Sequence, residues 1–234
     1  MIGTVAVVVL VETMPTRWAN AVWRLVSGRW RLAGIPDATF LKVLGSGRDG
    51  GFVPTPSLVH QGLFVSFADE SAADAFLASD LLSGYRRDAA ELLTLKLRAF
   101  SARGTWSGVS PLAITAEEPA EGPVASLTRA SIRPAKAVSF WRHAAPSEVA
   151  LHAAEGCLIA AGLGEAPFFR QATVTVWRDT AAMHAFARHG PHLEAIRRAR
   201  AEGHFSEDLF ARFVPIDITG SWQGRRFGSM SLSP

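Results

Sequence analysis

The chain has 234 residues, 48% of them hydrophobic and only 19% charged, which excludes a disordered polypeptide and supplies a large core. A formal charge of +3 with a pI ≈ 9.6 is a modest arginine excess without an aromatic-interleaved basic stripe, so no nucleic-acid partner is expected. One cysteine, Cys157, leaves no intrachain disulfide or cysteine-rich zinc site and fits a reducing cytoplasm.

The apolar run Val5–Val11 lacks a basic leader and meets Glu12 at once, far short of the ~20 residues of a membrane span. It reads as a buried strand over Thr4–Glu12. A helix follows around Arg17–Ser27, where Trp18, Ala21, Val22 and Leu25 recur at helical spacing. A glycine-rich loop, Gly45 to Pro56, leaves room for an extra strand beside it and precedes a strand near Val59–Phe67. Glu70–Ala78 reads as a short helix with Asp69 as N-cap, Tyr85–Leu92 as a helix and Leu93–Ser101 as a strand. Thr115–Gly122 (TAEEPAEG) is an exposed connector. Beyond it come a strand over Val124–Arg133, a helix over Ala135–His143 and a strand over Phe169–Trp177. Helices over Thr180–His189 and His192–Glu202 and a strand around Phe213–Thr219 complete the chain.

The second series echoes the first. GTWSG at 104–108 returns as GSWQG at 220–224, and Phe67-Ala-Asp-Glu-Ser-Ala-Ala-Asp-Ala-Phe76 returns as Trp177-Arg-Asp-Thr-Ala-Ala-Met-His-Ala-Phe186. Two copies are too few for a solenoid and predict two equivalent halves about a pseudo-twofold axis. The expected class is α+β: a duplicated ferredoxin-like repeat, residues 1–114 and 123–234 joined by the linker 115–122, forming a dimeric α/β-barrel-type architecture within one chain.

Few residues invite chemistry. Gly45-Ser-Gly47-Arg-Asp-Gly50 matches GxGxxG only formally, because Pro54 and Pro56 stop the helix on which a pyrophosphate would sit. The thiol of Cys157, among apolar neighbours and without a flanking base, reads as inert. Of the clustered histidines His184, His189, His192 and His204, His192 stands apart. Gly190-Pro191 breaks the preceding helix, and His192, Ile196 and Ala199 share one apolar face of the next. Such a histidine is more often a core residue than a ligand, yet an imidazole projecting into an apolar cavity is also what a haem iron needs. Arg129 is mid-strand among apolar neighbours and should face an open cavity or an anion, the alternative being a surface pair with Glu or Asp. Gln171, Thr173, Thr175 and Trp177 share a strand face that is polar for a core and suited to a ligand cavity.

The chain resembles the spheroidene monooxygenase (carotenoid oxygenase) family in several stretches. They are Phe40-Leu-Lys-Val-Leu-Gly-Ser-Gly47, Gly51-Phe-Val-Pro-Thr-Pro56, Ser101-Ala-Arg-Gly-Thr-Trp-Ser-Gly108, Gly122–Pro134 and Gly162-Leu-Gly-Glu165-Ala-Pro167, then Ala185–His192 through to Leu209. The resemblance implies a b-type haem oxygenase on a duplicated barrel, with iron held by a helix histidine of the C-terminal copy. Gly-Pro-His falls on His192, while His204 stands where the family pattern expects tryptophan. The resulting expectation is a cytoplasmic haem monooxygenase acting on a small apolar, carotenoid-like substrate with an external electron donor. His192 binds the iron, Ile196 and Trp177 line the cofactor, Gln171 lines the distal side, and Arg129 acts on the distal side or on a haem propionate. A haem-dependent dehydratase or peroxidase-like enzyme, a haem or hydrophobic-ligand carrier, and a cofactor-free monooxygenase are the alternatives. Contact with an anionic membrane surface is a further option, and the oligomeric state is left open.

Overall fold

The computed structural model describes residues 2–228. Val5–Thr13 (β1), Trp18–Arg31 (α1), Ala38–Gly47 (β2), Pro56–Phe67 (β3), Glu70–Leu77 (α2), Asp80–Asp88 (α3) and Ala89–Gly104 (β4) make the first half. Val124–Ile132 (β5), Ala137–His152 (α4), Cys157–Ala166 (β6), Arg170–Trp177 (β7), Thr180–Arg188 (α5), Gly190–Ala201 (α6) and Phe205–Trp222 (β8) repeat that order, and Arg225–Phe227 (β9) pairs with β8. Each half is a ferredoxin-like sheet, in the orders β4-β1-β3-β2 and β8-β5-β7-β6. Two antiparallel seams join them. One is short, Gly45↔Gly164 and Ser46↔Leu163; the other runs along β4 and β8 from Leu93↔Gly220 to Gly104↔Leu209. Among the described residues, eight strands thus close into one barrel.

Strand composition follows from what each face meets. β1 is apolar at nearly every position because both faces are covered. Ala6, Val8 and Leu10 point into the barrel. Val5, Val7, Val9 and Val11 pack with Leu32, Phe76, Leu82 and Tyr85 in the helical layer. The second half differs on its outer side. Ala125, Leu127, Ala172, Val174 and Val176 fill the barrel, but the alternate positions carry Ser126 and Thr175, whose hydroxyls share a 2.7 Å hydrogen bond, with Thr128 and Thr173 beside them. The apolar layer there is correspondingly smaller: Val124, Leu151, Ala160, Trp177, Ala182 and Met183.

The duplicated pentapeptides stop the two ends of the barrel. Gly104 (φ +90°) and Gly220 (φ +119°) turn the chain inward as β4 and β8 end. A Cβ would lie 2.1 Å from Asp208 O at Gly104 and 2.0 Å from Leu92 O at Gly220, so neither position tolerates a side chain. The turns deliver Trp106 and Trp222 into the core. Trp106 packs on Phe40 and Phe64 at ring-centroid distances of 5.5 and 5.2 Å, while Trp222 donates its indole N–H to Ala160 O at 3.2 Å. Each turn is held by a glutamate on the facing strand: Gly108 N–H donates to Glu207 at 2.7 Å, and Gly224 N–H to Glu91 at 3.0 Å.

Several boundaries differ from the sequence expectation. The helix expected over Tyr85–Leu92 ends at Asp88, because Glu91 and Leu92 are drawn into pairing with Glu12 and Val11. The glycine-rich segment supplies the end of β2 before its short 3-10 turn, Arg48–Gly50. β6 had no counterpart in the expectation; its alanines and glycines carry little strand signal. α4 continues through Pro146 to His152, and β8 is far longer than Phe213–Thr219.

Gly104→Ala and Gly220→Ala are each expected to destabilise the chain by about 2 kcal/mol or more, since both combine positive φ with a backbone clash. Trp106→Ala should cost about 3–5 kcal/mol through the cavity it leaves. Midpoints of urea unfolding measure all three.

Candidate active site

Two groupings of polar side chains stand out, on opposite sides of the second-half sheet. The first lies inside the barrel beneath Trp106. Arg129, on the inner face of β5, is 2% exposed. Its Nη1 donates to Glu207 and its Nη2 lies 3.1 Å from Glu165 Oε2. Glu165 also accepts from Lys42 Nζ at 2.9 Å and from the Trp106 indole N–H at 2.9 Å. Glu207 accepts from Thr105 Oγ1 at 3.0 Å as well as from Gly108 N–H. The guanidinium carbon sits 5.7 Å from the Trp106 ring centroid. Two cations thus meet two carboxylates.

Burial pushes both carboxyl groups up, and their donors outweigh it. Lys42, Trp106 and Arg129 hold Glu165 below its ordinary value. For Glu207, the Gly108 N–H, Arg129 and Thr105 bring the carboxyl from 4.5 down to about 2. Both therefore stay ionised at neutral pH, and the cluster ties Lys42 and Trp106 of the first half to Arg129, Glu165 and Glu207 of the second.

The second grouping lies outside the barrel, in the helical layer. Pro191 starts α6, and Asp179 caps α5 by accepting from Ala182 N–H at 2.7 Å. This places His192 against Phe186, ring to ring at 4.5 Å and 24°, with Phe186 stacked in turn on Trp177 at 5.2 Å. His192 Nδ1 lies 2.9 Å from Ser147 Oγ on α4. Burial lowers its pKa, so the ring is neutral at physiological pH. Its Nε2 has no partner among the described residues. Between α4 and the outer face of the sheet lies a small cavity of ≈ 10 Å³, lined by Gly51, Phe52, Glu148, Leu151, Gly162 and Thr173 among others. That is about the room of one water. Gly51 and Phe52 of the first half fill the rest of the space. Phe52 stacks on Trp141 at 5.3 Å and its N–H donates to Glu148. A Cβ on Gly162 would lie 2.3 Å from Gly51 O. The glycine-rich loop is therefore a site of close backbone approach, as its failure to open a helix suggested.

The expected distal pairing of Arg129 with Gln171 is not formed. Arg129 pairs across the ladder with Ala172, and Gln171 with Ala130, so their side chains leave opposite faces of the sheet. Gln171 is buried and donates to Ala166 O at 3.4 Å. Thr173, two residues along the same face, reaches the cavity instead. Trp177 is buried on that outer face, its indole N–H donating to Thr175 Oγ1 at 2.8 Å. Ile196 is half-buried on α6 and Ala199 is buried on the same face.

The other histidines have partners of their own. His204 is buried, 3.0 Å from Glu202 Oε2 and edge-on to Phe140. His189 Nδ1 bonds Ala185 O at 2.8 Å, and His184 accepts from Arg212 Nη1 at 3.2 Å. Burial lifts the Cys157 thiol to about 11, which makes it a poor nucleophile. Sequence reasoning missed the roles of Ser147, Phe52, Glu165 and Glu207. The one available signal was that Glu91 precedes Trp106 by the same interval as Glu207 precedes Trp222, each glutamate holding the other half's turn.

No family model matches the chain. Among curated proteins it is 50% identical to the spheroidene monooxygenase of Rubrivivax gelatinosus, over 97% of this chain and 88% of that one. It is 39% identical to the spheroidene monooxygenase of Rhodobacter capsulatus, over 86% of each chain. In fold it is similar to an aldoxime dehydratase solved in complex with butyraldoxime, with a TM-score of 0.55 and 10% identity over 90% of this chain and 79% of that one.

The buried charge cluster sets an acid limit. With folded-state values held below the ordinary 4.5, Glu165 and Glu207 stabilise the chain fully above that value. Their contribution fades as pH falls from 4.5 towards about 2, because the unfolded chain then takes up protons that the folded chain refuses. Glu207→Gln should flatten this decline. Arg129→Leu, which takes the cation from Glu207 and leaves Glu165 with Lys42 alone, should cost about 3 kcal/mol at neutral pH. Urea unfolding across this pH range tests both.

Proposed function

This chain belongs to the spheroidene monooxygenase family, and from that premise we propose a haem-dependent monooxygenase of an apolar, carotenoid-class substrate, with His192 as the iron ligand. The near-full-length identity to proteins of that name carries the reading, and it makes the chain an oxidoreductase. The haem and the substrate class extend it.

The residues present fit a haem ligand. A neutral imidazole with one nitrogen engaged and the other without a partner is the donor a haem iron takes. In the ligating tautomer, His192 Nδ1–H donates to Ser147 Oγ, which fixes the ring and raises the basicity of Nε2. Phe186 and Trp177 wall the ring with apolar surface, and Thr173 and Gln171 give the opposing sheet face a few polar atoms. When bound, a haem supplies the oxygen chemistry. The protein holds it, excludes water and positions an apolar substrate. Admission of a macrocycle requires the Gly51–Phe52 segment to leave the space beneath α4, where the remaining cavity is ≈ 10 Å³. Arg129, walled off inside the barrel, serves this reading by holding the barrel end.

The test is an absorption spectrum of haem-replete protein before and after dithionite, followed by oxygen uptake with a carotenoid and a reductant. About one haem per chain is expected, lost in His192→Ala and kept in His204→Ala. Ser147→Ala should weaken haem retention by about tenfold or more. Colourless protein from haem-replete cells, or a wild-type spectrum in His192→Ala, sinks the ligand assignment. Turnover without oxygen uptake would point to dehydratase chemistry on the same fold.

A further inference from the structure

The chain has seven tryptophans, and they fall into two classes. Trp106, Trp177 and Trp222 are buried, and Trp141 donates its indole N–H to Phe168 O at 3.1 Å. The other three, Trp18, Trp23 and Trp30, all lie on α1 and are 51%, 59% and 74% exposed. Val26, on the same helix, is 60% exposed. At helical spacing these four residues share one side of α1. The opposite side, which faces the protein, carries Ala21, Gly28 and the capping Leu32, and a Cβ on Gly28 would lie 2.9 Å from Val43 Cγ2. The helix therefore buries its small residues and presents its largest ones to solvent. The sheet beneath is already filled by Val43 of β2 and Leu63 and Val65 of β3, so folding alone gives no reason for that stripe.

On α1 itself the charge has one sign, although the exposed Asp80 of α3 lies across the cleft from Gly28. Residues 17–31 contain Arg17, Arg24, Arg29 and Arg31 and no Asp or Glu. Arg24 bonds Asp88 at 2.6 Å and Gly84 O at 2.9 Å, which locks α1 to α3, and α3 exposes Arg86 and Arg87. Aromatic rings with a polar N–H, on a helix whose charged residues are all arginine and beside the exposed Arg17, Arg86 and Arg87, match the headgroup layer of an anionic bilayer. A second copy docked through the same face would set arginine against arginine without a carboxylate on α1 to answer it. No helix among the described residues is long and apolar enough to cross a membrane.

We propose that the Trp18–Trp23–Val26–Trp30 face of α1 is an interfacial anchor that seats the protein on an anionic lipid surface. The anchor is independent of the haem and substrate assignments, and its test uses neither. The full chain is sedimented with vesicles of phosphatidylcholine alone and of phosphatidylcholine mixed with phosphatidylglycerol. Binding to the mixed vesicles is expected, weakened by salt, with quenching of tryptophan fluorescence by brominated lipid. A variant combining Trp18→Ser, Trp23→Ser and Trp30→Ser should bind about tenfold more weakly or worse. Absence of binding, or equal binding by the variant, overturns the proposal. So does a dimer that becomes monomeric in the variant, since the face would then cover a second copy. Should the variant fail to fold, quenching in the unaltered chain decides: unquenched tryptophan on bound vesicles overturns the anchor.

Discussion

A sheet closed on itself has no edge strands to protect, but it has two open ends, and water entering either would reach a core of mostly apolar side chains. The constraint on which this molecule rests is the stopping of those ends. Each is closed by a tryptophan carried on a glycine turn that only a residue without Cβ can make, and each turn is held by a glutamate from the facing strand of the long β4–β8 seam. The same seam supplies both the turns and their anchors. Closure of the barrel and placement of its stoppers are therefore one event.

The two halves then diverge inside the barrel. Leu10 of β1 and Arg129 of β5 hold equivalent places in their ladders, opposite Gly62 and Ala172. At the Leu10 end His60 lies edge-on to Trp222 and 3.7 Å from Glu12, whereas the Arg129 end holds a neutral group of two cations and two carboxylates. Buried charge of this kind adds little net stability when complete and costs much when broken, so its effect is to fix geometry. It aligns strands of both halves beneath Trp106 without touching the layer that holds His192.

The outer faces diverge in the opposite sense. Valines of β1 and β3 pack the first half's helices as a conventional core, while the serine, threonine and glycine of β5, β6 and β7 give the second half's helices little to pack on. That deficit leaves the layer under α4 to a loop borrowed from the first half, and it leaves His192 among aromatic rings with a nitrogen to spare.

The duplication was legible in the sequence because its punctuation is chemically strict: a glycine at positive φ, a tryptophan that fills a barrel end and an aspartate N-cap each admit few substitutes. The α+β class, β1, β3, β5, β7, the α2 cap and the position of His192 at the head of a new helix all followed from such local rules. β6 did not, since small residues chosen for close approach to Gly51 carry no strand signal. The partners of Arg129 were illegible too, because Glu165 and Glu207 reach it from other strands. The sheet face on which Arg129 and Gln171 stand depends on ladder register, which puts neighbours in the ladder on opposite sides without any mark in the local sequence. Sequence by itself determined which residues turn, cap and alternate, because those are one-chain, short-range energies. Only the tertiary structure decided which charges meet, which loop lies beneath α4 and which face of α1 is left bare, because those depend on distant segments arriving at one place.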